Sequence, residues 1–215
     1  MTRICVVDYG VGNMHSIIKA LRLFCPDVVL SEDAAELRTA SALVLPGQGA
    51  FAAGMDGLRM RGLLEEVKDA ARAGKPILGI CLGAQLLLEK GYEFGEHEGL
   101  GLLPGKVEHF PALQDGAKTP HMGWNAIGEP SPGTWKGTAL QGVRSGAEMY
   151  FIHSYILQPR DPAHVLAETT YGGLRFASAI GKDKIIGCQF HPEKSGEAGL
   201  KILQNFVNLT KQRER

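Results

Sequence analysis

The chain has 215 residues, 44% of them hydrophobic, and its 23 Lys and Arg balance 23 Asp and Glu, so the formal net charge is zero. This suits one α/β domain spanning 1–215 with an ample core, and it excludes the basic field that would hold nucleic acid or an anionic membrane surface. The four cysteines, at 5, 25, 81 and 188, have neither metal-ligand spacing nor disulfide-scaffold density, which predicts a reducing compartment and no metal site.

Thr2 and Arg3 lead directly into Ile4-Cys5-Val6-Val7, with no separate charged and apolar regions of a signal peptide, and no apolar run is long enough to cross a bilayer. The expectation is a cytoplasmic protein. Residues 4–8 read as a strand, followed by the turn Gly10-Val11-Gly12. Ile17, Ile18, Leu21 and Phe24 recur at helical spacing and predict a helix over 14–24. A second strand covers 28–30, Ser31 and Asp33 offer N-caps for a short helix through Leu37, and 42–45 is a third strand. Pro46-Gly47-Gln48-Gly49-Ala50-Phe51 then leads to a helix over 58–73, closed by Gly74. Residues 76–80 read as a buried strand and 83–89 as an apolar helix. Strand and helix alternating over short connections implies parallel strands with helices on both faces, and ligands gather at the carboxyl ends of such strands.

Between 95 and 146 glycine and proline recur, helical periodicity disappears, and short strands near 106–110 and 122–127 predict a mixed or antiparallel addition. Strands return at 149–153, 165–169, 176–180 and 185–190, and 196–208 closes the chain as an amphipathic helix.

The most chemically informative segment is Gly79-Ile80-Cys81-Leu82-Gly83, a cysteine between two glycines where a strand becomes a helix. Small flanking residues permit the sharp turn that lifts a nucleophile out of a sheet, and a helix N-terminus favours thiolate over thiol. The same segment also suits a buried structural cysteine. A thiol nucleophile needs a base, and the base a group to hold its tautomer. Gln189-Phe190-His191-Pro192-Glu193 supplies both: His191 follows an apolar strand, and in extended chain Glu193 points to the same side. His121 and His153 have strand context and read as structural rather than catalytic. An acyl-transfer site further needs oxyanion donors, for which the Leu82 amide and the Gly47-Gln48-Gly49 loop are candidates. That loop and Gly10-Val11-Gly12 both lack the third glycine of a dinucleotide fingerprint.

Gly79 through Gln85 together with His191-Pro192-Glu193 resembles the class I, or triad, glutamine amidotransferases. Further segments, Asp8-Tyr9-Gly10-Val11-Gly12-Asn13, His121-Met122-Gly123-Trp124-Asn125 and Tyr150-Phe151-Ile152-His153-Ser154-Tyr155, resemble the branch formed by glutaminase subunits of imidazole glycerol phosphate synthases. The resemblance implies a three-layer α/β amidotransferase fold: a central, mostly parallel sheet, helices on both faces and a smaller antiparallel or mixed addition. It implies that Cys81 attacks the side-chain amide of L-glutamine, with His191 as acid and base, Glu193 orienting it, and a γ-glutamyl thioester as intermediate. Gly47, Gln48, Gly49, Leu82, Gln85, Glu93, Ser154 and Tyr155 match positions that hold glutamine or the oxyanion. No cofactor or metal is implied. Ammonia would pass to a (β/α)8-barrel cyclase subunit, in a heterodimer that makes imidazole glycerol phosphate and an aminoimidazole carboxamide nucleotide in histidine biosynthesis. Asn13, His121, Trp124 and Lys194 match the face toward that partner. Gln48 stands where valine is frequent, Ala84 where methionine is, and Gly91-Tyr92 where the family often has Ser-Glu. The alternatives are another triad glutaminase or a γ-glutamyl hydrolase that works without this cyclase, and a catalytically silent interaction module.

Overall fold

In a computed structural model, which describes residues 2–12, 14–114 and 116–211, the first half runs β1 (Ile4–Val7), α1 (His15–Arg22), β2 (Val28–Ser31), α2 (Ala34–Thr39), β3 (Ala42–Leu45), α3 (Phe51–Met60), α4 (Leu64–Arg72), β4 (Ile77–Ile80) and α5 (Leu82–Leu86). The second half is strand-rich: β5 (Leu88–Gly91), β6 (His97–Glu98), β7 (Leu103–His109), β8 (His121–Ile127), β9 (Ala147–His153), β10 (Tyr155–Pro159), β11 (Val165–Tyr171), β12 (Leu174–Lys182) and β13 (Ile185–Cys188), closed by α6 (Gly196–Lys211).

Alternation along the strands builds three layers. Ile4 and Val6 of β1 enter a cluster with Ile17 and Leu21 of α1 and Ile202, Leu203 and Phe206 of α6. Cys5 and Val7 point the other way, into a cluster with Leu37 of α2, Met55 and Leu58 of α3, Val67 of α4 and Leu86 of α5. Among the described residues the main sheet has the order β2-β1-β3-β4-β13-β12-β10-β7-β5-β6, with β11 added against β12. From β2 to β13 neighbouring strands are parallel. Beyond that point β12, β10, β7 and β11 pair antiparallel, and β5 with β7 forms a parallel pair. Antiparallel β8 and β9 form a separate two-stranded sheet, whose Ile127, Met149 and Phe151 pack in the α1 and α6 layer. The expected mostly parallel core with an antiparallel addition is present.

Three local expectations change and one strand is added. The helix expected over 58–73 is two, α3 and α4, because Gly62 takes a left-handed φ of 68° and Leu63 donates back to Leu58 O at 2.9 Å. The apolar run 83–89 is helical only to Leu86, since Leu88–Gly91 joins β7 as a strand. Residues 155–159, between the expected strands 149–153 and 165–169, form β10 against β7 and β12. Finally, 185–190 is strand only to Cys188, which frees Gln189 and His191 to turn into the site.

Candidate active site

Three neighbouring parallel strands bring the predicted chemistry together. The register sets Leu45 of β3 opposite Gly79 of β4, and Ile80 of β4 opposite Cys188 of β13. The loop 46–49, Cys81 and the His191 turn therefore leave adjacent strands at their carboxyl ends, where an open α/β sheet presents ligand sites.

Cys81 has φ 52° and ψ −108°, a conformation that costs a non-glycine residue about 1–3 kcal/mol and persists only where its surroundings impose it. Those surroundings are explicit. The Cys81 N–H donates to Cys188 O at 2.7 Å, and the Gln85 N–H to Cys81 O at 3.2 Å. A Cβ on Gly79 would lie 2.6 Å from Gly83 O, and one on Gly83 would overlap the carbonyl oxygen of Leu45. Both glycines are thus required by close approach of backbone, which is the sharp turn the sequence predicts. The helix behind it is short, five residues, so its dipole is correspondingly limited.

His191 is buried, and its Nδ1–H donates to Glu193 Oε1 at 2.8 Å. With that proton assigned to Nδ1, the Nε2 lone pair is the free end of the ring, and this atom is buried with no hydrogen-bond partner among the described residues. Burial disfavours the imidazolium, yet Cys81 and Glu193 outweigh it and push His191 up to about 9. Cys81 contributes most to this rise, followed by Glu193, while the resting thiol donates to Ile152 O at 3.7 Å. The His191 N–H donates to Tyr150 O at 2.9 Å, and Ser195 Oγ donates to His191 O at 2.6 Å while accepting from Tyr150 N at 3.0 Å. The small sheet is thereby fastened to the turn that carries the imidazole.

Cys81 opens into a cavity of about 270 Å³ whose wall includes Gln48, Gly49, Leu82, Gln85, Glu93, Ser154 and Tyr155. Seven of the eight predicted substrate-side residues thus meet at the thiol. The eighth, Gly47, borders a smaller space of about 190 Å³ with His191, Glu193, Lys194 and Ser16. Glu93 is anchored from behind, since its Oε2 accepts from Phe51 N at 2.6 Å at the start of α3. Gln85 donates from Nε2 to Tyr155 O at 3.5 Å and to Gln189 Oε1 at 3.3 Å. A larger cleft of about 640 Å³ lies elsewhere, between Lys90, Tyr92, Lys106 and Arg160. It has no thiol or imidazole in its wall, and its cations Lys68, Lys90, Lys106 and Arg160 are paired with Glu65, Glu96, Glu108 and Glu89.

Supporting residues appear that sequence reading missed. The Tyr9 hydroxyl, fully buried, donates to Pro46 O and lies 2.5 Å from where a Gly47 Cβ would be, so it props the glycine loop from below. The Ile152 carbonyl meets the thiol, and Gln189 Nε2 stands 3.8 Å from Cys81 Sγ. The position of Gln189, two residues before His191 at a strand end, was the signal available for the last of these.

On the expected partner face Trp124 is 52% and Met122 59% exposed; Trp124 meets Tyr150 edge-on at 5.9 Å, and Lys194 Nζ lies 5.7 Å over the same ring. Asn13 lies outside the described residues. His121 is corrected: its side chain has no exposure, being stacked between Phe151 at 4.7 Å and Tyr171 at 4.0 Å, so it supports the strand from inside. Its Nδ1 meets His153 Nε2 at 3.0 Å, and His153 Nδ1–H donates to Tyr155 O at 2.8 Å. Burial holds His153 neutral, pushing it down to about 3. Both histidines are buried, and His153 borders the cavity at Cys81.

The family model described as glutamine amidotransferase class-I matches residues 5–209. The chain is 45% identical over 213 residues to imidazole glycerol phosphate synthase subunit HisH 1 of Legionella pneumophila (strain Lens), covering 97% of this chain and all of that one. It is 43% identical to the HisH subunit of Moorella thermoacetica, with 98% and 97% covered. Among solved structures, a glutamine amidotransferase superposes with a TM-score of 0.73 at 19% identity, covering 96% of this chain and 98% of that one. PurLQS from Thermotoga maritima gives 0.70 at 21%, with 97% and 98% covered; these two speak for the fold alone. No helix among the described residues is long and apolar enough to cross a membrane. A strained thiol, an imidazole held by a carboxylate and a near-complete match to these relatives agree: the chain belongs to the class I glutamine amidotransferases, in the branch of the imidazole glycerol phosphate synthase HisH subunits.

Proposed function

We propose that this chain is the glutaminase subunit of an imidazole glycerol phosphate synthase, a single amidotransferase domain that works in the cytoplasm with a (β/α)8-barrel cyclase. It hydrolyses L-glutamine at Cys81 and passes the ammonia on, in histidine biosynthesis. The observation that carries the reading is the His191 ring, fixed through Nδ1–H to Glu193 at 2.8 Å, with its buried Nε2 free of a hydrogen-bond partner among the described residues.

In the first half-reaction His191 Nε2 takes the Cys81 proton, and the thiolate adds to the carboxamide carbon of glutamine. The oxyanion is met by the Leu82 amide and by backbone N–H groups of Gly47, Gln48 and Gly49. His191 then returns its proton to the departing nitrogen, releasing ammonia and leaving the γ-glutamyl thioester. In the second half water, deprotonated by the same imidazole, splits the thioester to glutamate and restores the thiol. Gln85, Glu93, Ser154 and Tyr155 hold the amino-acid end of the substrate. Trp124 and Lys194, with Asn13, contribute to the docking face. The resting thiol donates to the Ile152 carbonyl at 3.7 Å, a contact given up when the thiolate forms, which suits a subunit that idles until its partner is loaded.

The test is to measure glutamine hydrolysis with and without the cyclase and its nucleotide. The expected result is a low rate alone and strong stimulation in the complex. Cys81→Ala should lower glutamine-dependent synthesis by about 1,000-fold or more, while free ammonia at raised pH still supports the cyclase. Vigorous hydrolysis by the isolated chain, unaltered by the partner, would favour a self-sufficient triad hydrolase.

A further inference from the structure

The mechanism above uses the thiol, the imidazole and the carboxylate, and leaves one fully buried polar side chain at the nucleophile without a role. Gln189 has no exposed surface. The pairing of Ile80 with Cys188 sets Gln189 level with Cys81 on the neighbouring strand, and its N–H donates to Ser178 O at 2.9 Å, which fixes the backbone. Its carboxamide is held at both ends. Oε1 accepts from Gln85 Nε2 at 3.3 Å, and Nε2 faces Cys81 Sγ at 3.8 Å, within reach of a hydrogen bond to sulfur. An amide oriented through its oxygen can present only N–H to the sulfur.

We propose that Gln189 is a further catalytic residue, a buried amide that donates to the Cys81 thiolate, is oriented by Gln85, and holds the sulfur in place once its proton has gone to His191. The imidazolium that has taken the proton must release it to the departing nitrogen, so it cannot hold the sulfur throughout, and the Ile152 carbonyl can only accept, so it serves the thiol and opposes the thiolate. Gln189 meets the opposite requirement. The two contacts would then form a pair of resting places, the carbonyl for the protonated and the amide for the deprotonated nucleophile.

The test separates donation from packing, and it rests on Cys81 being the nucleophile of the proposed glutaminase. Gln189→Met keeps the bulk and removes the donor. Gln189→Glu can still accept from Gln85 but turns a carboxylate oxygen toward the sulfur. Alkylation of Cys81 by iodoacetamide, followed by peptide mass spectrometry as a function of pH, should shift to higher pH in Gln189→Met, with about a tenfold lower rate at neutral pH. The shift should be larger in Gln189→Glu. With the cyclase present, kcat for glutamine should fall by about tenfold in Gln189→Met, with a smaller change in KM. Alkylation profiles that superpose on the unmodified protein in both variants overturn the proposal. In the wild-type protein, which needs no variant to fold, the side-chain amide resonance of Gln189 should move as Cys81 ionises and on its alkylation; an unresponsive resonance overturns the proposal equally. A wild-type complex that consumed no glutamine while the alkylation arm held would remove the assigned activity and leave the Gln189–Cys81 contact standing.

Discussion

Two glycine-bearing turns meet at the thiol, and they are built on opposite terms. In the turn that carries Cys81, a side chain on Gly79 or Gly83 would run into backbone, and the strained cysteine is tied by its own N–H to Cys188 O at 2.7 Å. In the loop that follows β3, Gly49 has φ 120° and nothing within 4 Å of where its Cβ would be, and Gln48 and Gly49 are both exposed. The base of this loop is secured by the Tyr9 hydroxyl on Pro46 O, by Gly47 packed against Leu82 and by the close approach of Gly12 to Gln48 N, while its tip is open. The nucleophile is therefore over-determined by packing, whereas the peptide groups offered to the oxyanion have room to turn. A subunit that must wait for a partner has reason to place its adjustable element in the second position, since strain can be held only where the surroundings cannot relax.

Substitution tests this contrast most severely at the first turn. Gly83→Ala should destabilise the chain by about 3 kcal/mol or more, a fall of about 6–12 °C in Tm, because the added methyl displaces the end of β3. Thermal melting that left it at the wild-type value would contradict the locked description. Trp124→Ala should weaken docking of the cyclase by about 2 kcal/mol, near thirtyfold in Kd, through loss of an exposed aromatic anchor. Since neither turn touches that ring, alkylation of Cys81 in the free subunit should be unchanged; titration calorimetry and alkylation rates together check this. Gly49→Ala introduces a side chain at a φ that disfavours one, at about 1 kcal/mol or more. In open space the loop can relieve this by turning, so Tm should move by less than about 2 °C, while the partner-stimulated glutaminase rate changes several-fold. A large loss of Tm would show that the loop is as fixed as the elbow.

The smallest effect concerns pH. His191 is raised to about 9 in the folded chain, above its ordinary value near 6.5, by Cys81 and Glu193 against the opposing effect of burial. A histidine raised on folding contributes stability that is complete below about 6.5 and is lost as pH climbs through about 9. The melting advantage of the wild type over His191→Gln should therefore shrink between pH 6.5 and 9.5. An advantage that grows over that window would mean that Cys81 and Glu193 do not raise the imidazole.

Much of this was legible in the sequence because it depends on local rules. Glycines two residues either side of Cys81, at the end of an apolar strand, dictate a sharp turn wherever the strand lies. His191 and Glu193, two apart in extended chain, dictate a ring held by a carboxylate. Asp33 as a helix cap was equally local, and its Oδ1 accepts from Ala35 N at 2.8 Å. The residues that escaped depend on neighbours distant in the chain. Leu88–Gly91 carries no strand pattern and becomes one because β7 offers it a ladder. His121 stands in a segment that resembles a docking motif, yet Phe151 and Tyr171 close over it.

The sequence by itself determined which atoms could do the chemistry, since thiol, imidazole, carboxylate and the glycines that permit their turns are covalent properties of short segments. Tertiary structure alone decided how they face one another. The register between β4 and β13 sets Gln189 beside Cys81 and carries His191 to the same sheet end, and the thiol rests on Ile152 O. The reason is that hydrogen-bond direction and burial follow from the packing of strands far apart in the chain, which no local pattern of residues encodes.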